Sequence, residues 1–328
     1  MKFYTNASVY KNKILVTGYE NGRRFKEKVS YKPYLFLKAK SKSKYKTIHN
    51  EYVDRVDFDS INDARDFIKQ YKDVDGFEVY GLDKFLYTYL YDEFLVGGNL
   101  DYDPNLVNIG YIDIETFVDE DTGFPDIQAA DNEVTLVSIE VKDHIYTLGC
   151  GDFDSPFDDV TYIKCRDETH LLRRFVEMWE RFELDIITGW NIAFFDIPYL
   201  VNRIRKILGQ EYANRLSPWG ILRERMIETQ GKEQQTFVPD GISVIDYMDA
   251  YKKFGYKQQE SYALGNVCED ELGETKIEYE GSLIDLQNGT YKFEETSVDP
   301  AFSSIKNKTI LKQQIKKLLD QRGVSVNK

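Results

Sequence analysis

The chain has 328 residues, of which 42% are hydrophobic and 30% charged, with a formal net charge of −13; that is room for more than one hydrophobic core. The charge excludes a protein that coats nucleic acid through a basic surface, yet leaves room for an enzyme that meets it across bound cations, because such a site is itself rich in carboxylates. Three scattered cysteines and three scattered histidines point to neither a disulfide framework nor a zinc or histidine-based metal centre. No apolar run reaches the roughly 20 residues of a membrane helix and the N-terminus lacks a signal-peptide stretch, so an intracellular, reducing setting without membrane contact is expected.

The first hundred residues read as a small α+β unit. KILVTGYENGRRFKEKV (13–29) is a hairpin about Asn21-Gly22, a pair that tolerates the positive φ angles of a type I′ turn. YLFLKAK (34–40) is a strand. Ser60 caps a helix with Asp63 near the capping-box position and Ile61, Ala64, Ile68 and Tyr71 on one face. DEFLVGGNLDYDPNL (92–106) is a boundary.

A different order follows from 107. NIGYIDIET is a strand, and EVTLVSIEV (133–141) and HIYTLGC (144–150) form a hairpin across Lys142-Asp143. TYIKC (161–165) is a further strand, and Asp167 caps an amphipathic helix with Leu171, Leu172, Phe175, Val176, Met178, Trp179 and Phe182 as its apolar set. DIITGW (185–190) is a short strand and DIPYLVNRIRKIL (196–208) a helix. LRERMIETQGKEQQTFV (222–238) reads as a hairpin around Gly231, followed by a strand at 242–246 and helical text containing DAYKKF and SYALGNVC. This is an α/β order with a mixed sheet.

Residues i and i+2 of a strand share a face, so Asp113 and Glu115 project side by side while Ile112 and Ile114 face the core. Alone, such a D-x-E is better explained by a solvated strand face. The segment TGWNIAFFDIPYLV adds Asp196, just past a strand end and in the first turn of a helix, where exposed N–H groups favour a carboxylate. An acid there, about eighty residues after a strand-borne D-x-E, suits a shared metal site of oxygen ligands appropriate to Mg²⁺.

These motifs resemble the 3′→5′ exonuclease domain of family B DNA polymerases, most closely those of T-even-like bacteriophages, over roughly residues 1–290. YIDIET is similar to the first exonuclease motif and TGWNIAFFDIPYLVNRI to the second. ANRLSPWG, GISVIDYMDAYKKF and the SYAL segment followed by KIEYEGSL also match the family's text. The resemblance implies a polymerase N-terminal domain at 1–106, a ribonuclease H-like exonuclease domain at 107–300, and two Mg²⁺ (or Mn²⁺) ions that serve removal of nucleotides from a single-stranded DNA 3′ end. Carried over by motif, Asp113 bridges both metals, Glu115 holds the metal that activates water, and Asp196 helps hold the second ion. Phe124, in the GFP at 123–125, corresponds to an aromatic residue that contacts terminal bases, with internal packing as the equal alternative; Asn191 is a further substrate-side candidate. The 222–238 hairpin resembles the family's strand-separating hairpin or is an ordinary connection.

Two departures stand out. The family's third motif, Tyr-x-x-x-Asp, is expected where the chain reads GTYKFEETSVDPAFSS. Asp299 lies near the expected place but has Glu295 four residues before it and Pro300 after it; Tyr291 and Glu295 have the spacing but fall early; a missing fourth ligand is the third option, favoured over both. Beyond 300 nothing resembles palm, fingers or thumb. The 301–328 segment carries seven Lys/Arg against Asp320 from 305 onward, a net of +6 that leaves −19 on residues 1–304 out of the total −13. It reads as a docked amphipathic helix, with Leu311, Ile315, Leu318 and Leu319 at helical spacing, in preference to a segment that binds a separate polymerase chain or nucleic-acid phosphates. The resemblance therefore leads to a proofreading exonuclease half in the cytoplasm of an infected bacterial host, partnered by a separate polymerase chain. The alternative is a catalytically weak half that assembles with that chain or binds nucleic acid, for instance through Arg23, Arg24, Lys26 and Lys28. Another nuclease of the same fold class, a ribonuclease H or a junction resolvase, fits the text around Asn191 and Asp196 less well.

Overall fold

The computed structural model of the chain describes residues 1–273 except 97–100, 118–124, 154, 156, 230 and 256. The described residues divide into two compact units, one comprising residues 1–107 with 240–243, the other comprising 108–239 with 244–273.

In the first unit, β1 (Lys2–Tyr10), β2 (Lys13–Glu20) and β3 (Arg23–Val29) form an antiparallel meander. Its second turn places Asn21 at φ 52° and Gly22 at φ 77°, the left-handed pair that the Asn-Gly text requires. A second sheet joins β4 (Tyr34–Lys38), β5 (Tyr45–Lys46), β6 (Tyr52–Asp57) and, beyond helix α1 (Ile61–Tyr71), β7 (Val79–Tyr80), in the order β5-β6-β4-β7. Ser60 caps α1 by accepting the Asp63 N–H at 3.2 Å, and its hydroxyl donates to the Asp63 carboxylate at 2.7 Å. Ile14, Val16 and Leu35 from the sheets meet Ile61 and Ala64 of α1 and Phe85, Tyr89 and Leu90 of α2 (Phe85–Leu90) in one buried cluster. Residues 240–243 rejoin this unit because the Gly241 N–H donates to Asn6 Oδ1 at 3.2 Å and Asn6 Nδ2 to Ser243 Oγ at 3.1 Å.

The second unit runs β8 (Ile109–Thr116), β9 (Val134–Val141), β10 (His144–Gly149), β11 (Val160–Lys164), α3 (Glu168–Phe182), β12 (Ile186–Gly189), α4 (Asp196–Leu208), α5 (Gln210–Asn214), the hairpin β13 (Leu222–Thr229) and β14 (Lys232–Pro239), β15 (Ser243–Asp246), α6 (Tyr247–Phe254) and α7 (Leu264–Leu272). Its main sheet has the order β11-β10-β9-β8-β12-β15. β9 is antiparallel to β8 and β10, while β12 runs parallel to β8 and β11 parallel to β10. This is the mixed α/β architecture expected of this segment, with the acid-bearing strand β8 inside the sheet. Asp167 caps α3 by accepting the His170 N–H at 2.7 Å. The apolar stripe of α3 is buried at Leu171, Leu172, Phe175, Val176, Met178 and Trp179, and α4 buries Ile197, Tyr199, Leu200, Val201 and Ile204. At about 25 cal/mol per Å² of apolar surface, these two stripes anchor the helices on the sheet and thereby fix where α4 begins. No described helix is long and apolar enough to cross a membrane.

Candidate active site

The site starts from the alternation of β8. Ile112 and Ile114 are buried at 1% and 4% exposure; Asp113 on the other face is half-buried and Glu115 exposed. Across the antiparallel pairing Asp113 lies opposite Ser138 and Glu115 opposite Leu136. Asp113 and Glu115 therefore share the less buried face of β8.

Asp196 is the first residue of α4 and is 3% exposed. Its Oδ1 accepts the N–H of Ile114 at 3.0 Å, which seats the α4 carboxylate against the backbone between Asp113 and Glu115. Burial pushes the Asp196 carboxyl up to about 7, and the charges of Glu115 and Asp246 push in the same direction, against the lowering effect of the backbone N–H bonds it accepts. A carboxyl this poorly solvated, beside other acids, is a group that a cation would favour in its ionised form. Oxygen donors alone fit a hard divalent cation. Among the described residues no three His, Cys, Asp or Glu side chains converge into a closed group able to hold an ion, so the acids form a fitting donor set that is not drawn together into a cage. Phe124, Asp299 and its rivals Glu295 and Tyr291 lie outside the described residues, as does the 301–328 tail.

The turn leading into α4 is built with unusual care. Gly189 ends β12 where a Cβ would meet the Ile112 carbonyl oxygen at 2.6 Å and Ile192 Cγ2 at 2.5 Å, so only glycine lets this turn lie against β8. Asn191 follows with φ 60°, left-handed backbone that Asn tolerates better than most residues. Its carbonyl accepts the N–H groups of Phe194 and Phe195 at 3.2 and 3.1 Å, and Ile192 O accepts that of Ile197 at 3.0 Å. Trp190 Nε1 donates to Tyr262 O at 3.1 Å, which fastens the SYAL segment to the same turn.

Sequence reading missed two pieces of this site. Asp246 reads only as the end of the 242–246 strand, yet it caps the following helix and its carboxylate also accepts the N–H groups of Asn191 and Ala193 at 3.0 and 2.9 Å. Nothing in the 196–208 helix text singles out Arg203, but it is 5% exposed and pairs with Glu168 through Nε and Nη2 at 2.7 and 2.6 Å. Its Nη1 reaches Ala130 O and Asp131 O, both at 2.9 Å. Tyr199 and Asn202 donate to Asn132 O and Ile127 O at 2.7 and 2.9 Å. One face of α4 thus holds the main chain of 127–132 in place.

Residues 90–267 match the family model for the DNA polymerase family B exonuclease domain. The chain is 30% identical over 89% of its length to the DNA-directed DNA polymerase of Enterobacteria phage T4 and 31% identical over 83% to that of Escherichia phage RB69. It is 32% identical over 45% of its length to the DNA polymerase delta catalytic subunit of Dictyostelium discoideum, 14% of which it covers. The chain spans only 35% and 33% of the length of the two phage relatives.

Proposed function

The chain belongs to the family B DNA polymerase exonuclease domain family, with the ribonuclease H-like fold that this implies, and from that premise we propose that it hydrolyses the 3′-terminal phosphodiester of single-stranded DNA. The observation that carries the reading is the Asp196–Ile114 hydrogen bond of 3.0 Å, by which an acid at the mouth of a helix meets a strand bearing Asp113 and Glu115.

In this reading Asp113, Glu115 and Asp196 would hold two Mg²⁺ or Mn²⁺ ions, which would supply activation of the attacking water and stabilisation of the leaving 3′-oxygen. The protein's own part is to keep mutually repelling carboxylates at one place. β8 presents two of them on one face, and the packing of α4 delivers the third without water around it. Phe124 and Asn191 are the residues proposed to contact the terminal nucleotides, and Asp299 is the candidate for the remaining acid. Pairing with a separate polymerising chain in the infected bacterium belongs to the same proposal, since the phage relatives are described as DNA-directed DNA polymerases.

The test is nucleotide release from a 5′-labelled single strand with Mg²⁺ or Mn²⁺ present. The expected pattern is stepwise shortening from the 3′ end that disappears in Asp113→Ala and leaves an RNA–DNA hybrid uncut. The rival reading is a catalytically weak half that serves assembly or nucleic-acid binding. Absence of release from the wild type, alone and with a polymerase half added, would establish that rival instead.

A further inference from the structure

Asp246 ends β15 and caps α6, its Oδ1 accepting the Met248 N–H at 2.9 Å. A cap needs one acceptor, and a neutral Ser or Thr serves a helix as well. This carboxylate is 7% exposed and does more. Oδ1 also accepts the Asn191 N–H at 3.0 Å, and Oδ2 the Ala193 N–H at 2.9 Å. The Ala193 carbonyl in turn accepts the Thr236 hydroxyl of β14 at 2.8 Å. The peptide groups around Ala193 are therefore gripped by Asp246 on the N–H side and by Thr236 on the carbonyl side, three residues before Asp196.

We infer that Asp246 is a positioning residue of the exonuclease centre: its two carboxylate oxygens clamp the 191–193 turn and so set where α4 begins and where the Asp196 carboxylate stands. The clamp is costly, because a second buried carboxylate near Asp196 is electrostatically unfavourable there. Its second oxygen is what a neutral cap would lack, and that oxygen holds the Ala193 N–H while the first is shared between the Asn191 and Met248 N–H groups. Asn191 sits at left-handed φ and has no regular helix or strand to hold it, so the clamp replaces the missing backbone partners.

The inference rests on the exonuclease reading and is tested in a way that separates the two. Amide hydrogen exchange is measured on the metal-free chain, and nucleotide release from single-stranded DNA on the same preparations with Mn²⁺ added. Asp246→Ser keeps one acceptor oxygen for the α6 cap and loses the second, which breaks the two-oxygen grip on the turn. It is expected to speed exchange at 191 and 193 and to lower release about 10–100-fold, the usual cost of losing a group that orients a ligand. Thr236→Val, nearly isosteric and uncharged, is expected to lower release in the same direction and covers the case in which Asp246→Ser does not fold. Asp167→Ala, which removes the α3 cap, is expected to lower the melting temperature but leave release unchanged. Unchanged exchange at 191 and 193 in Asp246→Ser overturns the inference, as does a loss of release no greater than that of Asp167→Ala at equal loss of stability. If the wild type releases nothing, the exonuclease reading falls and the clamp is judged on exchange alone.

Discussion

Ile114 and Asp196 stand 82 positions apart in sequence, and the N–H of one donates to Oδ1 of the other at 3.0 Å within the protein interior. The bond does two opposing things. It supplies a partner to a carboxylate that burial would otherwise leave poorly solvated, and it holds that carboxylate where Glu115 and Asp246 repel its charge. Replacement by the neutral isostere should uncouple these effects. Asp196→Asn keeps an oxygen for Ile114 and loses the charge, so at pH 8 without metal its melting temperature is expected to equal or exceed that of the wild type. Its nucleotide release should fall beyond the about 10–100-fold typical of losing an outer partner. A destabilised variant with full activity would contradict both halves.

The same carboxyl gives stability a particular pH dependence. Burial pushes it up to about 7 in the folded state, above the ordinary carboxylate value of about 4, so between these values the folded state binds more protons than the unfolded one. Stability drawn from the neutral form is complete below the lower value and is lost as pH rises through the upper one. In chelator, the melting temperature of the wild type relative to Asp196→Asn should therefore decline from pH 4 to pH 8. Mn²⁺ should reverse the decline at the alkaline end, because a cation binding the ionised acids stabilises the folded state by mass action. A wild-type profile parallel to that of Asp196→Asn would remove the basis for a strained acid.

Arg203 and Glu168 form a different kind of buried polar pair, with side-chain exposures of 6% and 10%. Glu168 Oε1 also accepts the Val134 N–H at 2.7 Å, so the pair ties α3, α4, the start of β9 and the 130–131 main chain together. Removing one partner of such a pair leaves a buried charge unmatched and costs about 3–5 kcal/mol. Glu168→Ala and Arg203→Ala should each show that loss in urea unfolding, and the double variant should lose clearly less than their sum. Additive losses would mean that the two side chains act independently.

What was legible in the sequence was what depends on neighbours along the chain. The face shared by Asp113 and Glu115, the caps at Ser60 and Asp167, and the Asn21-Gly22 turn all follow from local spacing and appear as read. What escaped spans distance. The Asp246 bonds to Asn191 and Ala193 reach across 55 and 53 positions, and nothing local distinguishes Asp246 from an ordinary helix cap. β1 went unread because most of its residues are half-buried, which leaves MKFYTNASVY without a clear alternation. The return of 240–243 to the first unit rests on Asn6, some 235 positions away in the Gly241 bond, and no pattern in GISVID announces it.

Gly189 offers the sharpest steric test of how β8 and α4 are brought together. A methyl group there would stand 2.6 Å from the Ile112 carbonyl oxygen and 2.5 Å from Ile192 Cγ2, and the first of these is backbone that cannot rotate away. Gly189→Ala must therefore push the start of the turn off β8, an overpacking change of about 1–3 kcal/mol. The shift would be passed along Asn191 to Asp196, whose bond to Ile114 depends on that approach. The expected outcome is a modest fall in melting temperature accompanied by a disproportionate loss of nucleotide release, since a displacement of roughly 1 Å in a positioned group can cost about 10²-fold. Gly220→Ala, at a glycine with nothing within 4 Å of an added Cβ but with φ +66°, carries backbone strain without touching this approach and should lose stability while keeping activity. Equal activity losses in the two variants would show that general destabilisation, and not the meeting of β8 with α4, governs the site.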